Sequence, residues 1–76
     1  MLSTSAVLYN ERILELCQVE VYSIAEAKDL IDDLIAEIAD SASKGWMKPE
    51  VRMAAENRIQ NLVMQIGNSL LSDNDS

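Results

Sequence analysis

The strongest constraint lies in the stretch Ile24 to Ala42, IAEAKDLIDDLIAEIADSA, where apolar residues recur at Ile24, Ala27, Ile31, Leu34, Ile38 and Ala42. Steps of three and four residues trace one face of an α-helix; a strand would alternate every second residue. At about 100° per residue, Glu26, Asp29, Asp33, Glu37 and Asp40 fall on the opposite side. One helix thus carries an oily seam and a spine of carboxylates, and the seam must be covered by further helix.

The cover comes after a clear interruption at 44–48. Gly45 suits the left-handed position that ends a helix. Pro49 suits the first turn of the next, where its missing N–H costs nothing, and Glu50 sits near the positive helix start. The last helix is expected over 49–71, with a stripe at Val51, Ala55, Ile59, Leu62, Ile66 and Leu70. Gly67 within it costs roughly 1 kcal/mol against alanine. A turn this short makes its flanking helices antiparallel neighbours.

Upstream, Ala6, Tyr9, Ile13, Leu14, Leu16, Cys17 and Val21 form another apolar side, with Glu11, Glu15 and Gln18 opposite. The join VEVYS at 19–23 allows three readings. Val19, Val21 and Tyr22 favour a strand at 16–22. Ser23 followed by Glu26 is a capping-box pattern that would start a fresh helix. The absence of Gly, Pro and Asn, and an apolar face that continues in phase, favour one long, bent helix over 5–43. The long helix is preferred. The expected fold is therefore all-α: an antiparallel helical hairpin with a long or kinked N-terminal helix, two or three helices in all. Residues 1–4 are expected to fray and 72–76 to be disordered.

A chain of 76 residues makes one small domain, 1–76, and is marginal on its own. Small domains usually add a disulfide, a metal or a second subunit. Cys17 is the only cysteine and there is no histidine, so an internal disulfide and the usual zinc sets are ruled out. Apolar residues make up 49% of the chain, enough for a core and an interface. If the first helix is one rod, the last helix cannot cover all of it. A homodimeric bundle is then expected, with Ile13, Leu14, Leu16, Cys17 and Val21 at the interface.

Thirteen acidic against six basic residues give a net charge of −7. That disfavours direct binding of nucleic acid or of anionic membranes and permits docking to a basic protein. No run approaches the ~20 apolar residues of a membrane span. MLSTSAVLYNER lacks the basic start and apolar core of a signal peptide. Together with the lone cysteine, this leads to the expectation of a soluble, cytoplasmic protein.

Enzyme chemistry finds no support: there is no histidine base, no glycine-rich phosphate loop and no cofactor fingerprint. No cofactor or metal is expected, and Asp29, Asp32 and Asp33 lack the spacing of a calcium loop. Cys17 reads as a buried, inert thiol. Two features point to a protein partner. Met53, Met64 and Leu71 lie roughly opposite Val51 and Leu62, which makes the last helix apolar on two sides, and methionine is typical of adaptable binding faces. Trp46, in the turn, either closes the end of the core or extends that patch as an anchor. Glu26, Asp29, Asp33, Glu37 and Asp40 read first as a solvated face and second as an electrostatic docking surface.

KGWMKPEV at 44–51, after an acidic helix, is similar to the loop and helix start of the sporulation-type aspartyl-phosphate phosphatases. Their Ser-Gln-Glu-Leu-Asp signature is replaced here by AAENRI at 54–59, so the resemblance implies the helical fold without the phosphatase chemistry. In outline and size, 24–71 also resembles the small co-chaperones that hold type III secretion needle subunits. The expected function is a small acidic, non-enzymatic protein-interaction module: a chaperone-like adaptor or an inhibitor of phage or plasmid type. The competing expectation is an acidic mimic that occupies the groove of a DNA- or RNA-binding protein.

Overall fold

The computed structural model describes residues 4–74, and in them the chain is all-helical. Three helices follow in order, α1 (Thr4–Cys17), α2 (Ile24–Lys44) and α3 (Pro49–Asn74), with no strand among the described residues. They form a rod of 54 × 16 × 16 Å. Residues 1–3 of the expected frayed end, and 75–76 of the expected tail, lie outside the described residues. Ser72 to Asn74 continue α3.

The single rod over 5–43 does not form, because the chain breaks at 18–23. The end of α1 tightens, with Gln18 N–H donating to Glu15 O at 3.0 Å and Val19 N–H to Leu16 O at 3.2 Å. Ser23 is extended at φ −148°, ψ 162°, and its Oγ accepts from Glu26 N–H at 3.1 Å. The Glu26 carboxylate reaches back to Tyr22 N–H at 2.8 Å, a capping box displaced by one residue. Arg58 of α3 donates to Val19 O at 2.7 Å and so ties the break to the bundle. The capping pattern wins because folding α1 back buries Ile13, which a continuous rod would leave uncovered in one chain.

The second interruption follows its residues. Gly45 adopts φ 68°, ψ 25°, the left-handed region that glycine enters without a Cβ clash. Its N–H closes on Ser41 O at 2.7 Å. α3 then starts at Pro49, with Arg52 N–H donating to Lys48 O at 3.0 Å.

One core joins the three helices: Ile13, Ala27, Leu30, Leu34, Val51, Ala55 and Leu62, with Leu16, Cys17, Val21, Ile31, Ile38, Ile59 and Ile66 among the residues packed around it. The buried arc of α2 is wider than the predicted stripe. Leu30 and Ser41 are buried, while Ala42 is exposed. A single covering helix would have centred the arc on the stripe; two widen it. On α3 the stripe holds to Ile66, but Leu70 is 52% exposed. At 1.5 Å per residue, α3 is about 39 Å long and α2 about 31 Å. The last turns of α3 therefore have less helix to lie against.

Candidate interaction surfaces

At the turn end of the bundle, Asn10 is the joint. It sits on the buried face of α1 with Ala6 and Ile13, 4% exposed. Its Nδ2 donates to Ala6 O at 2.7 Å and to Trp46 O at 3.0 Å, and its Oδ1 accepts from Lys48 N–H at 3.0 Å. One side chain thereby satisfies the backbone of the α2–α3 turn. Sequence reasoning passed over Asn10. The signal was a lone amide in the series Ala6, Asn10, Ile13, Cys17, at the spacing of the apolar face.

Trp46 is part of this joint. Its ring meets Tyr9 edge-on at 5.9 Å between centroids, and Lys44 Nζ lies 5.0 Å from the ring centre. Of the expected patch Met53, Met64 and Leu71, Trp46 lies at the Met53 end and far from Leu71. It sits at the start of α3, and Pro49 to Leu71 spans about 33 Å of helix.

Tyr9 closes the α1–α2 seam. Its hydroxyl donates to Glu37 O at 2.7 Å and to Asp40 Oδ2 at 3.1 Å. Burial and the neighbouring Glu37 and Asp40 carboxylates push the phenol well above its ordinary value. Asp40 is held below the usual carboxylate range by hydrogen bonds from Lys44 and Tyr9. A raised folded-state value stabilises the fold fully below the unfolded phenol pKa, about 10, and the contribution is lost as pH rises through the folded value. Urea titrations should therefore show stability falling above pH about 10, where the Tyr9 phenol ionises more readily in the unfolded chain, after an earlier decline from pH about 8.5 that belongs to the raised Cys17 thiol. Tyr9→Phe should make the decline above pH about 10 shallower and leave the earlier one in place, and what then remains belongs to groups such as Tyr22. An unchanged slope above pH about 10 in the variant would show that Tyr9 does not contribute to it.

Four of the five residues expected at a dimer interface lie in or against the chain's own core. Ile13 is fully buried between the helices, and Leu16, Cys17 and Val21 pack around it. Only Leu14 is exposed, at 39%. With α1 folded back, the geometrical demand for a second chain lapses. Burial pushes the Cys17 thiol up, with Arg58 pulling weakly the other way, so the thiolate that a nucleophile requires is disfavoured. Among the described residues, no group of three or more His, Cys, Asp or Glu could hold a metal ion, and no helix is long and apolar enough to cross a membrane.

Two surfaces remain. The first is the outer face of α3. Met53, Met64 and Leu71 are 64%, 66% and 65% exposed, as their position opposite the core stripe requires. Val63 and Leu70 flank Met64 and Leu71, the two pairs about two turns apart, and nothing stands within 4 Å of a Cβ placed on Gly67 between them. Met53 lies on the same side, but about 16 Å of helix earlier, with Glu56, Asn57 and Gln60 intervening. The structure thus gathers Met64 and Leu71 into one patch and leaves Met53 outlying.

The second surface is a depression of about 510 Å³ where the end of α1 and the 18–23 break meet α2. Leu16, Val21 and Leu30 line it, together with Glu26, Asp29 and Asp33. The carboxylate spine is thereby divided. Glu37 lies 3.6 Å from Arg12 and Asp40 lies 3.2 Å from Lys44, whereas Glu26, Asp29 and Asp33 border the depression. Compared with known proteins, the chain matches no family model, no curated protein and no solved structure.

Proposed function

We propose that this protein is a small acidic, non-enzymatic protein-interaction module, a chaperone-like adaptor or an inhibitor, that holds its partner along the outer face of α3. The observation that carries the reading is the patch Val63, Met64, Leu70 and Leu71, each more than half exposed on a helix whose other side already fills the core. Leaving such side chains in water forgoes roughly 1.5–3 kcal/mol each compared with burial. Clustered apolar residues on a surface mark interaction sites, and anchors at these spacings suit a helix laid into a partner's groove. Methionine adapts its shape to that groove. Within the same proposal, a homodimer would draw on Val7, Leu8 and Leu14, which α1 leaves exposed.

The test is a double substitution, Met64→Ser with Leu71→Ser. The melting temperature should stay within a few degrees, because both side chains lie outside the core. Affinity for a partner captured from a host lysate should fall by at least about tenfold, or ~1.4 kcal/mol. Met53→Ser should weaken binding less. A double variant that folds and binds normally would overturn the proposal. A captured partner that binds DNA or RNA and lets go in moderate salt would favour the acidic-mimic reading instead.

A further inference from the structure

The depression beside α1 goes beyond the α3 face and does not rest on it. It exists because α1 stops at Cys17 and the chain crosses to Ser23, leaving the first half of α2 uncovered along one edge. Its floor is apolar, from Leu16, Val21 and Leu30. Its rim is acidic, from Glu26, Asp29 and Asp33, and Tyr22 holds a further carboxylate, Glu20, at the lip.

Charge decides what could fill it. The spine of α2 is neutralised where α1 covers it, by Arg12 at Glu37 and Lys44 at Asp40. Arg52 is engaged with Glu56 and Arg58 with Val19 O. Among the described residues, no lysine or arginine side-chain nitrogen lies within 4 Å of a carboxylate oxygen of Glu26, Asp29 or Asp33, that of the neighbouring Lys28 included. A second copy of the same acidic edge, nucleic acid and an anionic membrane would each be repelled. The three carboxylates also stand three and four residues apart on one helix. A helix laid alongside would meet them with cations at the same spacing.

We propose that this groove docks a basic amphipathic helix of a partner protein, with apolar side chains on Leu16, Val21 and Leu30 and lysines or arginines against Glu26, Asp29 and Asp33. The apolar floor gives residence, and the rim selects cationic partners and speeds encounter.

The probe is a fluorescently labelled amphipathic peptide of leucine and lysine, titrated by anisotropy against the full chain. Glu26→Gln with Asp29→Asn and Asp33→Asn should raise its Kd by at least about tenfold. Glutamine keeps the capping bond to Tyr22 N–H. The pair Asp29→Asn and Asp33→Asn alone leaves that cap untouched and should still weaken binding clearly. Removing the same charge elsewhere, with Glu11→Gln, Asp32→Asn and Glu50→Gln, should change the Kd by no more than about twofold. Val19→Ser at the lip should weaken binding, and the Met64→Ser, Leu71→Ser variant should not. Any of three results would sink the proposal: a control triple as damaging as the rim triple, a lysine–serine peptide that binds as tightly, or binding that depends on the α3 face.

Discussion

Leu62→Ala is expected to cost about 3–5 kcal/mol, whereas Leu71→Ala, nine residues along the same helix, should stay within about 0.5 kcal/mol. Leu62 is 0% exposed at the centre of the three-helix core, and Leu71 is 65% exposed. Truncating the first removes buried methyl groups and leaves a cavity that the rod can only partly close. A chain of 76 residues is expected to have roughly 4–11 kcal/mol of stability in total. The first substitution therefore takes a large share, and its melting temperature should drop by at least about 12 °C. Thermal melts followed by circular dichroism measure both. Equal losses would mean that α3 is rotated from the position described, and the proposed interaction face would fall with it.

Asn10→Ala should destabilise the chain by about 2–4 kcal/mol. The amide makes three hydrogen bonds, to Ala6 O, Trp46 O and Lys48 N–H, and is buried while doing so. Alanine would leave the backbone groups of the turn without these partners. Asn10→Asp should be at least as harmful, since one carboxylate oxygen would face two carbonyls and a charge would be buried without a cation. Tryptophan fluorescence should report the same event, because Trp46 loses its hydrogen bond to α1 and keeps only the ring contact with Tyr9. A loss of stability below about 0.5 kcal/mol would show that water replaces the amide and that the joint is not structural.

The helical class, most of the seam of α2, the stop at Gly45 and Pro49, and most of the core side of α3 were legible in the order of residues alone. All of these are local: a period of three to four residues, a residue tolerant of positive φ, and a residue without an N–H. The same local periodicity showed that Met53, Met64 and Leu71 point away from the core. Tertiary structure decided the rest. Around residues 18–23, continuity of the apolar face and the Ser23–Glu26 cap were competing local signals. Which one prevailed depended on whether α1 had anything to lie against, and the return of α3, with Arg58 reaching Val19 O, supplied it. Packing then moved Ile13 from an expected interface to the chain's own core and widened the buried arc of α2 to include Leu30. It also drew Trp46 onto Tyr9 and Asn10 and split the carboxylate spine into a paired half and a half beside a groove. Periodicity specifies which side of each helix is apolar. The number of helices that share that side, and hence the edges left open, is settled only when all three pack.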